Sequence, residues 1–206
     1  MNSHDVRKIV ARRRRSATPF PHLKGISAVA IATARLIVRP VRASDAEVLY
    51  DIRRRVAEFQ GVSDRTLEET RAMYSEMESR RPGEEPGWHQ YVIQSKLGAV
   101  IGDVGVNFEG PGPRQIELGY SLHPEWWGRG AAGEALSALI GHLFREHKLH
   151  RAIAITAADN ERSRSLLKRL GFRHEATMIE SWWERDEGHW SDEVLYAVLE
   201  REWSLV

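Results

Sequence analysis

Five small residues stand directly before a long helical pattern, and this combination limits the fold more than any other feature. They lie in the stretch WWGRGAAGEAL (residues 126–136), whose glycines spell G-x-G-x-x-G. From Leu136 onward, apolar residues recur at i, i+3, i+4, i+7 and i+8, which predicts an amphipathic helix over about residues 130–147. The first N–H groups of a helix are unpaired and its dipole is positive at that end. Small residues let a ligand approach these groups closely, so the stretch predicts a seat for a phosphate-bearing ligand.

The same glycine spelling occurs in dinucleotide-binding folds, but the surrounding sequence argues against one here. Such a fold needs a strand that runs almost directly into the first glycine, and an acidic residue about 20 residues later. In this chain HPEWW (residues 123–127) separates the strand from Gly128, and the preceding strands are hairpin-like. Asp159 is the only acidic residue at a suitable distance, and it lies in a predicted turn. We therefore expect a different phosphate-bearing ligand.

Hydrophobic periodicity and turn residues divide the rest of the chain into short elements. Ser44 and Glu47 have the spacing of a capping box and predict a helix that ends near Arg55. Asn160 begins a later helix that Gly171 closes. The other predicted helix covers residues 66–81, and the predicted strands cover residues 34–41, 88–94, 99–108, 115–122, 151–156, 172–183 and 190–200. This order predicts a mixed α/β fold in which helices cover a mostly antiparallel sheet.

Composition excludes several classes of function. Hydrophobic residues make up 42% of the 206 residues and charged residues 29%, and no apolar run approaches the roughly 20 residues of a membrane span. The chain has no cysteine, which excludes disulfides, thiolate metal sites and a cysteine nucleophile, and which fits a cytoplasmic location. The histidines at 142, 147 and 150 lack the spacing of metal ligands, so we predict no metal.

The N-terminal segment is strongly basic. Residues 1–25 carry seven of the 30 basic residues and one of the 29 acidic ones, which leaves +6 on the segment and −5 on the remainder. We interpret residues 1–30 as a disordered extension, with nucleic-acid or anionic-lipid binding as the alternative. The run RRRRS before GISAVAIATA imitates a secretory signal, but PFPHLKG separates the charge from the apolar run. We therefore expect neither secretion nor a membrane partner.

Four segments together carry a family resemblance. They are ARLIVRPVRASDAEVL, IELGYSLHPEWWGRG, AADNERSRSLLKRLGF and EGHWSDEVLYAVL. The chain resembles the GNAT superfamily of N-acetyltransferases, in the branch of RimJ and RimL, over about residues 31–203. The family's loop motif Q/R-x-x-G-x-G/A begins here with Trp127 in place of glutamine or arginine. The resemblance implies a GNAT domain over residues 31–206, with a twisted sheet of six or seven strands, about four helices, and splayed fourth and fifth strands.

The resemblance also implies how acetyl-CoA is held. The pantetheine arm would lie in the gap between the splayed strands, and the backbone N–H near Leu122 would polarise the acetyl carbonyl. Backbone amides after Trp127 would hold the pyrophosphate, and Asn160 would bond the pantetheine arm, although it also has the character of a helix N-cap. The implied cofactor-binding residues are Leu122, Trp127, Gly128, Arg129, Gly130, Ala131, Ala132, Gly133, Asn160 and Ser163.

The candidate catalytic residues come partly from strand alternation and partly from the resemblance. Along QIELGYSL, Glu117 and Gly119 share one face, where the glycine leaves a notch beside the carboxylate and favours a bulge. Glu117 matches a family general base, and Glu180 on the sixth predicted strand is its rival. Ser163 matches a serine placed near the thiolate, whereas Leu167 occupies the position of the tyrosine that many members use as general acid.

The leading hypothesis is therefore an acetyl-CoA-dependent N-acetyltransferase. Because no cysteine is present, transfer would pass directly to a primary amine in a ternary complex. The acceptor, a protein N-terminus or a small-molecule amine, is not specified by the sequence, and a homodimer is left open. The alternatives are a catalytically silent CoA-binding module and a nucleic-acid-associated protein anchored by the basic segment; we do not expect nucleic acid to be a partner.

Overall fold

An eight-stranded sheet runs through the computed structural model, which describes residues 30–57, 65–82, 85–109, 114–184 and 188–203. The predicted basic extension lies outside these residues except for its last position. The strands lie in the order β1-β2-β3-β4-β5-β6-β8-β7, and every neighbouring pair is antiparallel except β5 and β6. Their bounds are β1 Ile31–Ala32, β2 Leu36–Pro40, β3 Trp88–Ser95, β4 Val100–Asn107, β5 Gln115–Leu122, β6 Arg151–Ala157, β7 Arg173–Glu184 and β8 His189–Leu199.

Helices cover both faces of the sheet, as the mixed α/β prediction requires. They are α1 Ala46–Arg55, α2 Leu67–Ser79, α3 Ala131–His147, α4 Glu161–Arg169 and α5 Glu200–Trp203, with 3-10 turns at Ala43–Asp45 and Pro124–Trp126. The predicted fold class is confirmed, but the described residues hold more elements than expected. The sheet has an eighth strand because Thr33 turns the chain, its N–H donating to the Leu36 carbonyl at 2.9 Å, so that β1 pairs with β2. The fifth helix is the single turn α5.

The predicted splay is confirmed. It lies between β5 and β6, which are the fourth and fifth of the strands predicted from the sequence, because β1 was not among them. Their parallel pairing runs from Gln115 opposite Arg151 to Leu118 opposite Ala154 and then stops. Beyond that point β5 stays paired with β4 up to Leu122, and β6 stays paired with β8 to its end. A V-shaped opening therefore begins immediately after Leu118.

Two separate cores fix which helices lie on which face. The apolar stripe of α3 is buried against one face of the sheet, as predicted; its members are Leu136, Leu139, Ile140, Leu143 and Phe144. Helix α4 packs on the same face through Leu167. On the opposite face, α1 and α2 bury Leu49, Ile52 and Tyr74 against Val92 of β3. The opening between β5 and β6 is therefore bordered by α3 and α4 on one face, and the α1–α2 layer lies on the other.

The start of α1 differs from the prediction. Asp45, rather than Ser44, organises the turn, because its carboxylate accepts a hydrogen bond from the Arg42 N–H at 2.8 Å. Both carboxylate oxygens also accept from the Arg39 guanidinium, each at 2.8 Å, which fixes Asp45 in a buried position. Glu47 pairs with a side chain on α2 instead of closing a capping box. A bidentate ion pair outweighs a serine cap here.

Candidate active site

The predicted phosphate loop leads directly into the N-terminus of α3. Gly128 and Gly130 have φ angles of 71° and 74°, and Gly130 is the residue that caps the helix. Residues with a Cβ rarely adopt this left-handed backbone conformation, which explains why glycine occupies both positions. Gly128, Arg129 and Gly130 are exposed, and Ala131, the first helical residue, is buried. The loop is therefore exposed and leads into the N-terminus of α3, where the sequence predicted that a phosphate-bearing ligand binds.

A second arginine, which the sequence did not single out, braces this loop. Arg35, just before β2, donates to the Arg129 carbonyl at 2.9 Å and forms an ion pair with Glu134 of α3 at 2.7 Å. Thr33 also donates to the Glu134 carboxylate, at 2.6 Å. Although partial burial opposes the effect, these hydrogen bonds lower the pKa of Glu134. The carboxylate therefore stays charged and holds the N-terminal hairpin against the loop.

Trp127, the departure from the family motif, ties three segments together. Its indole N–H donates to the Leu122 carbonyl at the end of β5 at 2.7 Å. The guanidinium of Arg162, on α4, lies 4.4 Å from the centroid of the Trp127 ring, within the range of a cation–π interaction. The tryptophan thus connects β5, the phosphate loop and α4, and Arg162 brings a positive charge beside the loop. No local pattern in the sequence pairs Arg162 with Trp127.

The orientation of the Leu122 amide follows from the hydrogen bonds between β4 and β5. The N–H of His123 donates to the carbonyl of Ile101 on β4 at 2.8 Å. Because hydrogen bonding alternates along an antiparallel ladder, the amide of the preceding residue, Leu122, is directed away from β4. It therefore points toward the side on which β6 has separated.

One face of β5 carries a depression at Gly119. A Cβ built at Gly119 would have no atom within 4 Å, whereas one built at its β4 partner Gly105 would lie 3.1 Å from the Trp88 ring. Glu117 lies one row along the same face, in register with Asn107 and Trp88. The predicted notch beside Glu117 is therefore present. The predicted bulge at Gly119 is wrong, because the β4–β5 register is regular through this position and the glycine leaves open space without one.

A buried ion pair lies next to this depression. Asp103, in register with Ser121, is fully buried and accepts from the Arg53 Nε of α1 at 3.1 Å and from Gln90 at 2.6 Å. The negative charge of Asp103 raises the pKa of Arg53, so the guanidinium remains charged although it is largely buried. The pair fixes α1 against the face that carries Glu117. A buried carboxylate with these partners is not indicated by the local sequence.

The opposite face of β5 carries a hydroxyl pair. The hydroxyl of Tyr120 lies 2.8 Å from the Ser163 Oγ in the first turn of α4. Asn160 caps this helix as predicted, its side-chain oxygen accepting from the Ser163 N–H at 3.0 Å. Burial raises the pKa of Tyr120 to about 12, although the hydrogen bond with Ser163 opposes the rise. Leu167, at the position of the family tyrosine, is buried in the core, and its side chain carries no hydroxyl.

The structure does not bring the rival base Glu180 beside Glu117. Glu180 is exposed, has a φ of 47°, and lies where the β7–β8 register shifts between Met178 and Trp182. Its N–H donates to the Asp192 carboxylate at 2.7 Å. Strands β6 and β8 stand between β7 and β5, a separation of about 14 Å at the usual strand spacing.

The histidines form no metal centre within the described residues, which also contain no other cluster of three or more potential ligands. His147 is fully buried, and burial lowers its pKa to about 4. Its ring lies 5.9 Å from that of His142 in an edge-to-face contact. In the same part of the chain, no helix has the length and apolar character to cross a membrane.

Comparison with known proteins identifies the family. Residues 35–173 match the family model described as "Acetyltransferase (GNAT) domain". The chain belongs to the GNAT family of N-acetyltransferases. It is an acyltransferase that uses acetyl-CoA as co-substrate, which confirms the predicted class of enzyme and its co-substrate.

Two curated relatives can be compared with the RimJ and RimL branch of the family. The Bacillus subtilis (strain 168) protein YnaD, an uncharacterized N-acetyltransferase, is 28% identical over 84% of this chain and 99% of its own length. The [ribosomal protein uS5]-alanine N-acetyltransferase of Escherichia coli (strain K12) is 37% identical, over 42% of this chain and 44% of that enzyme. These matches agree with the resemblance to RimJ and RimL.

Solved structures share the fold. RimJ of Mycobacterium smegmatis, in complex with a CoA disulfide, aligns with a TM-score of 0.69 at 24% identity, over 81% of this chain and 83% of that one. Spermidine N-acetyltransferase from Vibrio cholerae, in complex with CoA and spermine, aligns with a TM-score of 0.73 at 17% identity, over 84% and 99%. At these identities the alignments establish the fold alone.

Proposed function

We propose that the protein transfers the acetyl group of acetyl-CoA directly to a primary amine while both substrates occupy the opening between β5 and β6. One observation carries this proposal. Glu117 and the Tyr120–Ser163 pair lie on opposite faces of β5, on either side of the point where β6 separates. An amine can therefore arrive from one face of the sheet while the sulfur departs on the other.

The donor would be held by backbone groups and helix ends. The pyrophosphate would rest on the amides of residues 128–133, where the glycine backbone and the α3 N-terminus favour an anion. The pantetheine arm would lie along the opening and contact Asn160, and the carbonyl oxygen would accept from the Leu122 N–H. An oxyanion donor of this kind stabilises the charge that develops in the transition state.

The acceptor would occupy the depression at Gly119. Glu117 offers a carboxylate there, and the Trp88 ring, which is 39% exposed, forms an adjacent wall. A carboxylate and an aromatic face both favour an ammonium group. The uS5-alanine and spermidine acetyltransferases both act on molecules with a primary amine, which supports the same acceptor class for this chain.

In the reaction, Glu117 accepts a proton from the bound ammonium, which frees the nitrogen lone pair. The nitrogen attacks the acetyl carbon, the carbonyl π electrons move to oxygen, and a tetrahedral intermediate forms. When it collapses, the C–S bond breaks and its electrons stay on sulfur. The chain contains no cysteine, so no cysteine-bound acetyl intermediate can precede this step.

Initial rates test the order of events. A panel that includes an alanine-terminated peptide and spermidine is screened for thiol release from acetyl-CoA, and rates are then measured at several fixed concentrations of the best amine. Intersecting double-reciprocal lines are expected, because both substrates must bind before a product leaves. Parallel lines, together with an acetylated protein trapped by acetyl-CoA alone, would replace direct transfer with a covalent relay.

Matched glutamine variants test the base. Glu117→Gln keeps the shape of the side chain but cannot accept the proton, so kcat should fall roughly 100-fold while acetyl-CoA affinity is retained. Glu180→Gln makes the same change on the edge strand and should leave kcat within about twofold. If Glu180→Gln lowers kcat and Glu117→Gln does not, the general base is Glu180 on β7.

A further inference from the structure

The family resemblance implies that Ser163 lies near the departing thiolate, and we propose that Tyr120 is the positioning residue that orients the Ser163 hydroxyl toward this sulfur. The inference rests on the proposed function, because it concerns the leaving group of the same transfer. Its basis is the 2.8 Å contact between the two hydroxyls, which joins β5 to α4 across the start of the opening. Tyr120 is the second residue after the last β5–β6 pair, and Ser163 lies in the first turn of the helix that follows β6.

The direction of the hydrogen bond follows from the two hydroxyl groups. Either hydroxyl could donate at this distance; because a phenol is a stronger acid than an alcohol, we assign Tyr120 as the donor and the Ser163 oxygen as the acceptor. Since the pKa of Tyr120 is about 12, the phenol remains protonated at neutral pH and keeps this role throughout the reaction. The Ser163 oxygen is then occupied as an acceptor, and its own hydrogen is directed elsewhere. A hydroxyl held in this way is a preorganised donor for an anion.

The same property makes Tyr120 an unfavourable source of the sulfur's proton. A phenol with a pKa near 12 would give its proton to a less basic thiolate only against a free-energy gradient. Tyr120 therefore differs in role from the helix tyrosine of many relatives, whose position is occupied here by Leu167. It acts by hydrogen bonding through Ser163 and keeps its own proton.

The proton balance is consistent with this role. The ammonium loses one proton to Glu117 before the attack and a second one as the intermediate collapses. The C–S electrons pass to sulfur, where the Ser163 O–H stabilises the thiolate by a hydrogen bond to a charged acceptor. The thiolate then takes up one proton to leave as CoA-SH, and the other is released to solvent.

Bound coenzyme A provides a direct test, because the chain contains no cysteine and the complex holds no other thiol. The ultraviolet absorbance of the thiolate is followed as a function of pH in the complex with CoA, with the desulfo-CoA complex as baseline. Ser163→Ala should raise the midpoint of the thiol titration by about one pH unit, which is a tenfold loss of thiolate at a given pH. Tyr120→Phe should raise it by about half a unit, roughly threefold. Calorimetry checks that each variant still binds CoA.

Double substitution separates positioning from an independent effect. If Tyr120 acts through Ser163, Tyr120→Phe should add nothing in the Ser163→Ala background. Ser165→Ala, the same change at an exposed position of α4, is the matched control and should leave the midpoint unchanged. An unchanged midpoint in a CoA-binding Ser163→Ala variant would overturn the proposal, as would additive effects of the two substitutions. The titration uses no amine, so its outcome is independent of whether an acceptor is found.

Discussion

Filling the depression at Gly119 should weaken the use of the acceptor without destabilising the fold. Gly119 has no neighbour within 4 Å of the position of a Cβ, and its φ lies outside the left-handed region. A valine should therefore fit the backbone of β5 without strain. Glycine is a poor strand residue, so Gly119→Val should leave the free energy of unfolding unchanged or raise it by about 0.5–1 kcal/mol.

The same isopropyl group would occupy the space beside Glu117 that we assign to the amine. If the valine weakens the binding of the amine by about 1.4 kcal/mol or more, kcat/KM for the amine falls at least tenfold. Acetyl-CoA affinity should be retained, since the phosphate loop and α4 lie on the other face of the sheet. Steady-state kinetics measures the first quantity and calorimetry the second.

Gly105 supplies the contrast, because it is the register partner of Gly119 on β4. A Cβ there would lie 3.1 Å from two Trp88 ring atoms and 3.2 Å from the Gln90 side chain. Gly105→Ala should therefore lower stability by about 1–2 kcal/mol, measured by chemical denaturation. A folded Gly119→Val protein with unchanged kcat/KM for the amine would refute the assignment of the acceptor pocket.

Three further predictions address the donor side and stability. Gly130→Asp puts a carboxylate and a Cβ at a left-handed position of the loop, facing the proposed pyrophosphate site. The affinity for acetyl-CoA, measured by calorimetry, should fall at least tenfold, which is about 1.4 kcal/mol. An unchanged affinity would contradict the assignment of the loop to the site. Trp127→Phe removes the N–H that donates to the Leu122 carbonyl, so the free energy of unfolding, measured by urea denaturation, should fall by about 1 kcal/mol. An unchanged free energy would show that this hydrogen bond does not stabilise the fold. The hydrogen bond from Arg151 lowers the pKa of Glu175 to about 2, so this carboxylate stabilises the fold above about pH 4.5 and progressively less toward pH 2. Glu175→Gln should therefore cost about 1 kcal/mol at pH 7, after allowance for solvent screening, and almost nothing near pH 2; a cost that is independent of pH would contradict this.

Features that depend on local backbone chemistry could be predicted from the sequence. The apolar stripe of α3 is buried because a helical period keeps the same residues on one side. Asn160 caps α4 because its side chain reaches an unpaired N–H of its own helix. Each of these features is decided within a single helix and its cap, where the local sequence pattern is sufficient.

Contacts between distant segments could not be predicted in the same way. Tyr120 and Ser163 are 43 residues apart in the chain, and their contact requires both the β5–β6 register and the direction in which α4 leaves β6. The distance between Glu117 and Glu180 depends on β8 lying between β6 and β7, which the order of elements along the chain does not reveal. The cap at Asp45 was missed because it depends on Arg39, a residue of the preceding strand.

The alternation of β5 explains how one strand can serve both substrates. Glu117 and Gly119 face the α1–α2 layer, Tyr120 faces α4, and the pairing with β6 ends between them. In the proposed reaction, the side chains around the acceptor would come from β3, β4 and the α1–α2 layer, whereas those around the donor would come from α3, α4 and the loop. Substitutions on the first face can change the acceptor without disturbing the seat of acetyl-CoA. If the acceptor binds as proposed, we expect substitutions around Trp88, rather than in the glycine loop, to change the specificity for the amine.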